Sequence, residues 1–274
     1  MSTFLFWNIQ RKSIGSIVGI VATQHDVDMI LLAECVDTAA MLPTLNAGRE
    51  RKFFRISNDD DFVQVYSRFL PDFMNRQRLS WRKGPRQRYT IWELTLPGCR
   101  SLLLAAAHLP SKLHRSEFSQ HSDCFQFAED IRRVENERQH QRTVLVGDLN
   151  MNPFEPGMVD ARGLNAVMTR DLARQGARRV QSETYPFFYN PMWRFFGDSG
   201  DHPPGTYYRG GEPVTFFWNM FDQVLLRPDL LDLFHSEALK ILVSGGNTQF
   251  LTTGSLPDES VASDHLPIVF KLHL

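Results

Sequence analysis

Short apolar runs alternate with amphipathic stretches along this chain, and the period of each run assigns its element. Phe4 to Ile9 predicts a first strand, and Met29 to Ala33 and Thr143 to Gly147 are apolar enough to be strands buried in a core. Phe53 to Ser57 and Phe62 to Tyr66 predict two more, joined by the turn-rich acidic segment Asn58-Asp59-Asp60-Asp61. Tyr89 to Leu96 and Ser101 to Ala107 predict neighbouring strands split by Pro97-Gly98. Phe221 to Leu226 and Leu266 to Leu272 close the set, with Val214 to Trp218 as one further candidate. Ser16 to Gln24 carries Ile17, Ile20 and Val21 at helical spacing. Glu117 to Arg138 places Phe118, Cys124, Phe127, Ala128, Ile131 and Val134 on one face and charge elsewhere, which predicts a long amphipathic helix. Strands alternating with helices predict an α/β architecture.

Two stretches read as loops. Gln77 to Arg88 carries Arg78, Arg82, Lys83, Arg86 and Arg88 around Trp81, and Tyr185 to Gly211 is rich in aromatic residues, Pro and Gly. Neither has the composition of a domain linker.

The chain has 274 residues, 42% of them hydrophobic, so it can bury a large core without covalent staples. Three scattered cysteines, Cys35, Cys99 and Cys124, form no metal-ligand spacing and no disulfide framework, which suits a reducing compartment. The N-terminus has no basic region followed by a cleavage site, and no apolar run approaches the ~20 residues of a membrane span. The expectation is a soluble cytoplasmic protein. A net charge of −1 excludes a molecule that attracts nucleic acid by its overall field. Most of the basic residues are Arg, which grips phosphate with two parallel bonds, although a GC-rich coding bias explains the choice equally well.

Polar residues recur where the apolar runs end. Asn8 lies in the first strand, Glu34 follows the second, His108 follows Ser101 to Ala107, and Asp148 and Asn150 follow Val144 to Gly147. Asp222 opens a strand, and Asp264 and His265 precede the last one. Taken singly, a Gly-Asp-x-Asn string is usually a turn, an Asp-His pair a loop ion pair, and a lone Glu or His at a strand end a boundary residue. Asp148 and Asn150, two apart, are expected on the same side of an extended backbone, and Gly147 leaves room for another backbone or a ligand. If the strands lie side by side, Glu34, Asp148, Asp222 and Asp264 converge. Four carboxylates share one pocket only if a cation joins them, and an oxygen-rich site suits Mg²⁺ or Mn²⁺ better than Zn²⁺.

Taken in order, these pieces resemble the endonuclease/exonuclease/phosphatase superfamily. The resemblance runs through Phe6-Trp7-Asn8-Ile9, Leu32-Ala33-Glu34, Ala107-His108-Leu109, Gly147-Asp148-Leu149-Asn150, Phe221-Asp222-Gln223-Val224-Leu225 and Ser263-Asp264-His265-Leu266-Pro267-Ile268. Val63 to Phe69, with Tyr66-Ser67-Arg68, also resembles the family's strand after its second motif. The resemblance implies one domain over residues 1–274 with a DNase I-like four-layer sandwich, two packed mixed β-sheets flanked by helices. It implies Glu34 as main metal ligand with Asn8 beside it, and Asp264 as a second carboxylate at the metal. It implies Asp148 and Asn150 as the residues that orient water and phosphate, and Asp148 as a neighbour of the metal as well. His265 becomes the base or phosphate-binding histidine, Asp222 its orienting partner, and His108 a phosphate contact. Arg88 and Arg68 become substrate-binding candidates. One position departs from some members: where they carry an acid two residues after Asn8, this chain has Gln10.

The implied chemistry is in-line attack of an activated water on phosphorus, with Mg²⁺ or Mn²⁺ as cofactor. His265 and Asp148 both remain candidates for the base. Nucleic acid is the expected substrate, because the basic loop interleaves Arg with Trp81 and Tyr89, and the loop with Tyr185, Phe187, Phe188, Tyr189, Trp193, Phe195 and Phe196 offers rings that stack on bases. The alternative for those rings is a satellite core under a long loop. The alternative functions are a phosphatase or phosphodiesterase on an inositol phosphate, lipid headgroup or small nucleotide, and a catalytically silent binding module. The intact set of motifs speaks against the last.

Overall fold

Strand Ser2–Asn8 is buried at every position, so neither of its faces meets water and the chain must cover both. In the computed structural model, which describes residues 1–79, 88–112, 117–198, 202–213 and 215–274, that cover comes from strands on either side, helices on one face and a second sheet on the other. The first sheet runs Lys240–Ile241, Ile268–Leu272, Ser2–Asn8, Met29–Ala33, Val63–Ser67 and Phe54–Arg55 across its width. Ser2–Asn8 and Met29–Ala33 are parallel, joined through the helix Gly15–Gln24, while Ile268–Leu272 and Val63–Ser67 pair antiparallel outside them. The second sheet runs Met74–Arg76, Tyr89–Leu94, Leu102–His108, Thr143–Asp148, Asp222–Leu226, Phe188–Tyr189 and Ala166–Val167. Its parallel pair, Leu102–His108 and Thr143–Asp148, is joined through the helix Glu117–Arg138.

Period-two alternation sorts the second sheet's side chains into two cores. Leu104, Ala106, Val144, Val146, Val224 and Leu226 join the first sheet's Phe4, Phe6, Leu31 and Val65 between the sheets. Leu103, Ala105, Leu145 and Leu225 pack outward on Cys124, Phe127, Ile131 and Val134 of the long helix. The result is the four-layer helix–sheet–sheet–helix sandwich. No helix among the described residues is long and apolar enough to cross a membrane.

Several expectations shift in detail. The first helix buries Val18, Val21 and Ala22, while Ile20 is exposed, so its apolar stripe is rotated from the one Ile17, Ile20 and Val21 suggest. A helix at Thr38–Asn46 has no apolar stripe strong enough to announce it. The Asp37 carboxylate caps it by accepting from Ala40 N at 3.2 Å, although Pro43 sits inside it. Tyr185 to Gly211 is not one loop: it contains strand residues Phe188–Tyr189, a 3₁₀ turn at Pro191–Phe195 and the strand Tyr207–Arg209. The strand expected at Val214 to Trp218 is Phe217–Asn219, with Val214 outside the described residues. Trp81, Arg82, Lys83 and Arg86 of the basic loop, and the side chain of Phe118, also lie outside them.

Candidate active site

Strand parity and register together build one row of polar side chains. Leu104, Ala106 and His108 share a face, as do Val144, Val146 and Asp148, and Asp222, Val224 and Leu226. His108 pairs with Asp148, and Asp148 pairs with Asp222. Three adjacent strands therefore end in His108, Asp148 and Asp222, side by side, on the face turned toward the first sheet. Gly147 is what permits this spacing: a Cβ there would lie 2.0 Å from the Ala107 carbonyl oxygen. The room that Gly147 leaves is taken by backbone, not by a ligand.

The first sheet supplies the opposite wall. Asn8 ends its central strand and donates through Nδ2 to Asp148 Oδ2 at 3.0 Å, so one hydrogen bond spans the two sheets. Glu34 follows Ala33 with φ +53°, a left-handed conformation that an ordinary L residue adopts only where its surroundings enforce it. The carboxylate is turned toward His108, whose Nε2 lies 3.8 Å from Glu34 and 3.6 Å from Asp148. Arg11 Nε stands 3.6 Å from the other Glu34 oxygen.

His265 closes the row. Its Nδ1–H donates to Asp222 Oδ2 at 2.7 Å, and its Nε2 lies 3.9 Å from Asp148. The backbone around it is pinned three times: Trp7 Nε1 donates to His265 O at 2.8 Å, His265 N donates to Ser263 Oγ at 3.2 Å, and Ser263 Oγ donates to Asn8 O at 2.7 Å. Burial by itself pushes the His265 imidazole down and the Asp222 carboxyl up. The carboxylates of Asp222 and then Asp148 outweigh it for the histidine, whose pKa is pushed up to about 10. His108 goes the other way: burial lowers it, Asp148 and Glu34 only partly oppose this, and Arg88 reinforces it. The two imidazoles that flank Asp148 are thus shifted in opposite directions.

Asn150 departs from the expectation of a carboxylate and an amide side by side on extended backbone. The strand stops at Asp148, and Asn150 takes φ +51°. Its backbone N–H donates to Asp148 Oδ1 at 2.9 Å and its side chain donates to Leu109 O at 3.0 Å. The amide side chain thus holds the turn that aims Asp148. Asp264 is half-buried. Its pKa is raised first by burial and then by the like charges of Glu34 and Glu259, against the attraction of His265.

The substrate-binding candidates divide. Arg88 is at the site: its carbonyl accepts from His108 N at 2.8 Å, and its guanidinium lies 4.2 Å from the centre of the Phe62 ring, itself edge-on to His108. Arg68 is not. Ser67 pairs with Met29, at the end of the sheet remote from Glu34, and the buried Arg68 guanidinium is engaged by Asp26 and Asp28. With Met29 to Ala33 between them, the two ends are about 16 Å apart, so Arg68 is a structural cation. Arg76 of the basic segment likewise grips Asp61 with two bonds of 2.6 Å.

Sequence reasoning missed Thr206 and Tyr207. Thr206 Oγ1 accepts from Asp222 N at 3.1 Å, and Tyr207 lays its ring 4.7 Å from that of His265. Both fall in a stretch whose Pro and Gly content reads as loop, and no pattern in it signals a catalytic neighbour.

The donors fit a cation. Glu34 and Asp264 offer carboxylate oxygens, and Asn8 beside them offers an amide oxygen that accepts from Gln10 N at 3.0 Å; the like charge of Glu34, which adds to burial in raising the Asp264 pKa, is a repulsion that a divalent ion would relieve. Among the described residues, the set whose potential ligand atoms all lie within 4.8 Å of one another is Asp148, Asp222 and His265. His265 and Asp222 already satisfy each other there, so that set is suited to holding a proton.

A family model for the Endonuclease/Exonuclease/phosphatase family matches residues 5–265, which is nearly the whole chain. The chain belongs to this family. Solved structures agree on the fold. An endonuclease/exonuclease/phosphatase family protein from Leptotrichia buccalis superposes with a TM-score of 0.61 at 12% identity, over 100% of each chain. The 3′ phosphatase NExo from Neisseria, solved with a product DNA hairpin, gives 0.60 at 14% identity over 100% of each chain. An AP endonuclease from Archaeoglobus fulgidus gives 0.53 at 14% identity, again over 100% of each chain. A search of curated protein sequences gives no match. Within an endonuclease/exonuclease/phosphatase domain, two mixed sheets meeting at a polar row are the expected frame, and the motifs read from the sequence lie along that row.

Proposed function

We propose that this protein is a divalent-metal-dependent hydrolase of phosphoric esters that cleaves phosphodiester bonds in nucleic acid. The observation that carries the reading is Asp148. It is buried, it is aimed by the Asn8 side chain and the Asn150 backbone N–H, and it lies between two imidazoles at 3.6 and 3.9 Å. A carboxylate so held can take a proton from water while the groups around it meet phosphate oxygens.

Glu34 and Asp264, with Asn8, would hold Mg²⁺ or Mn²⁺, which when bound neutralises phosphate charge and stabilises the leaving oxygen. The remaining work falls to this chain's own side chains. Asp148 accepts the water proton. His265, its pKa pushed up to about 10, carries a proton at neutral pH and presents Nε2–H to a non-bridging oxygen. Asp222 fixes that tautomer by accepting from Nδ1. His108, kept neutral by burial, offers a second and uncharged contact. On this reading Asp148 is the base and His265 the electrostatic partner. Little covalent help is required for phosphoryl chemistry, and alignment with charge neutralisation supplies most of the rate.

Nucleic acid is favoured as substrate by the neighbours' own descriptions, which name an AP endonuclease and a 3′ phosphatase with its DNA product. The deciding experiment is a Mg²⁺ and Mn²⁺ panel on single-stranded DNA, duplex DNA, RNA and small phosphodiesters, with and without EDTA. Cleavage of nucleic acid should require the metal and fall steeply with salt, and Asp148→Asn and His265→Ala should each abolish it without altering the thermal transition by more than a few degrees. Full activity in either variant, or in EDTA, refutes the assignment.

A further inference from the structure

The segment rich in aromatic residues divides into two sets with opposite exposure. Phe187, Phe188, Met192 and Phe195 are buried in the core, as a satellite core under a loop requires. Phe154, Trp193, Phe196 and Phe216 instead form a ring cluster that runs from Phe196, packed against the core, out to the surface, with centroids 6.2 Å apart for Phe154–Trp193, 6.1 Å for Phe154–Phe196, 5.1 Å for Phe154–Phe216 and 5.6 Å for Trp193–Phe196. Phe154 is 38% exposed and Phe216 63%, and the adjacent Phe217 is 51% exposed. Rings of this size left together in water mark a surface that something covers.

The cluster is continuous with the catalytic row. Phe154 lies four residues past Asn150. Its loop is tied to the strand that leads to Asp222: Asn152 Nδ2 donates to Asn219 Oδ1 at 2.9 Å, and Met220 N donates to Asn152 Oδ1 at 2.8 Å. Phe217 pairs with Arg209 in a hairpin whose Tyr207 pairs with Asn219 and sets its ring, tilted, 4.7 Å from that of His265. Phe154 and Phe216 thus lie on the two segments that lead away from Asn150 and into Asp222.

We propose that Phe154, Trp193, Phe196, Phe216 and Phe217 form a stacking platform for unpaired bases of the nucleic-acid strand whose phosphodiester is cleaved; this rests on the nuclease reading above. The occupant follows from the chemistry of the patch. Its contacts are ring to ring: Phe154 meets Trp193, Phe196 and Phe216, and Trp193 meets Phe196. The arginines at its edge, Arg194 and Arg209, are paired with Glu237 and Glu212 and so are not arrayed toward an anionic lipid layer. Rings beside a phosphodiester site suit bases, which all present a π-face and stack without regard to sequence. The substrate is then a single-stranded or frayed segment, since bases inside a duplex already stack on each other.

The test is equilibrium binding in the cleavage-inactive Asp148→Asn protein, read by anisotropy. The ligands are a labelled oligodeoxythymidylate and a chain of equal length made of abasic tetrahydrofuran residues. The parent should prefer the base-bearing chain by tenfold or more, and Phe154→Ala/Phe216→Ala should remove that preference. Phe216→Trp should keep it and Phe216→Leu should lower it, which separates stacking from mere apolarity. Thermal midpoints of the variants check the fold, and Phe216→Ser at this exposed position stands in if the double variant fails to fold. A preference unchanged by these substitutions, or no preference in the parent, overturns the platform even if the wild-type enzyme cleaves nucleic acid. Loss of binding to phosphatidylcholine–phosphatidylserine vesicles with the oligonucleotide preference intact assigns the patch to a membrane and overturns it as well. A parent that binds neither chain, in a protein whose wild type hydrolyses only small phosphoesters, overturns both the platform and the nuclease reading.

Discussion

At His265 two carboxylates oppose the effect of burial. Asp222 lies 2.7 Å and Asp148 3.9 Å from the imidazole, and both favour its protonated form enough to outweigh desolvation. A folded pKa of about 10 lies above the unfolded value of 6.5, so the folded state binds the proton more tightly. The stabilisation is complete below about pH 6.5 and is lost as pH rises through the folded value. In metal-free protein, the thermal midpoint of the wild type should therefore fall toward that of His265→Gln between pH 7 and 10. Parallel curves for the two proteins over that range would show that the histidine is not charged. Glu34 and Asn150 make a second point at this scale. Both sit at positive φ beside the cleft, and neither is glycine. Such backbone is strained by about 1–3 kcal/mol, and here it turns one carboxylate toward His108 and buttresses another.

Among the strands, alternation carries most of the information. The apolar run Leu102 to Ala107 ends in His108, and the run Val144 to Gly147 ends in Asp148, so parity alone places both on one face. That is why His108 and Asp148 are expected side by side from the pattern alone, whereas Glu34, one residue past its strand at φ +53°, depends on the turn that follows. The turn after Asp148 was not legible, because extended geometry was assumed where Asn150 reverses the chain. Arg68 was misplaced for a related reason: the residues around it match a strand of the family, but only the antiparallel register shows that they end at the wrong edge. Thr38–Asn46 carries no such signal, because the residues it buries, Met41 and Leu45, are too few to mark a stripe. Gly147 supplies a test of the register itself. Gly147→Ala forces a methyl against the Ala107 carbonyl, and the strands that bring His108 beside Asp148 must part. Overpacking of this kind typically costs about 1–3 kcal/mol, and turnover should fall more than stability does. Hydrogen exchange at the Leu109 amide, which donates to Asp148 O at 2.9 Å, would register the parting, and wild-type protection there would refute it.

At the scale of the molecule, the outer helix is clamped to the second sheet by a buried ion pair. Glu135 accepts from Arg227 Nε at 2.8 Å and Nη2 at 3.1 Å, and from Thr143 Oγ1 at 2.6 Å. Arg227 spends its last donor on the carbonyls of Pro186 and Phe187 and lies over the Phe188 ring. Every partner is satisfied, so removing one leaves a charge and several polar groups stranded. Arg227→Ala should destabilise the fold by about 3–5 kcal/mol, read as a shift of the urea midpoint, whereas Arg227→Met paired with Glu135→Leu should lose much less. Equal losses in the two proteins would mean that packing around the guanidinium, and not its charge, holds the helix.

The bond from Asn8 to Asp148 joins side chains 140 positions apart and belongs half to each sheet. Neither half of the molecule owns Asp148: one sheet carries it and the other points it. Sliding the two layers past each other by about an ångström would break that aim while every strand remained folded. The dense apolar filling between them is therefore a ruler as well as an adhesive. A methylene removed from Val146 or Phe6, far from any phosphate, would slacken that ruler.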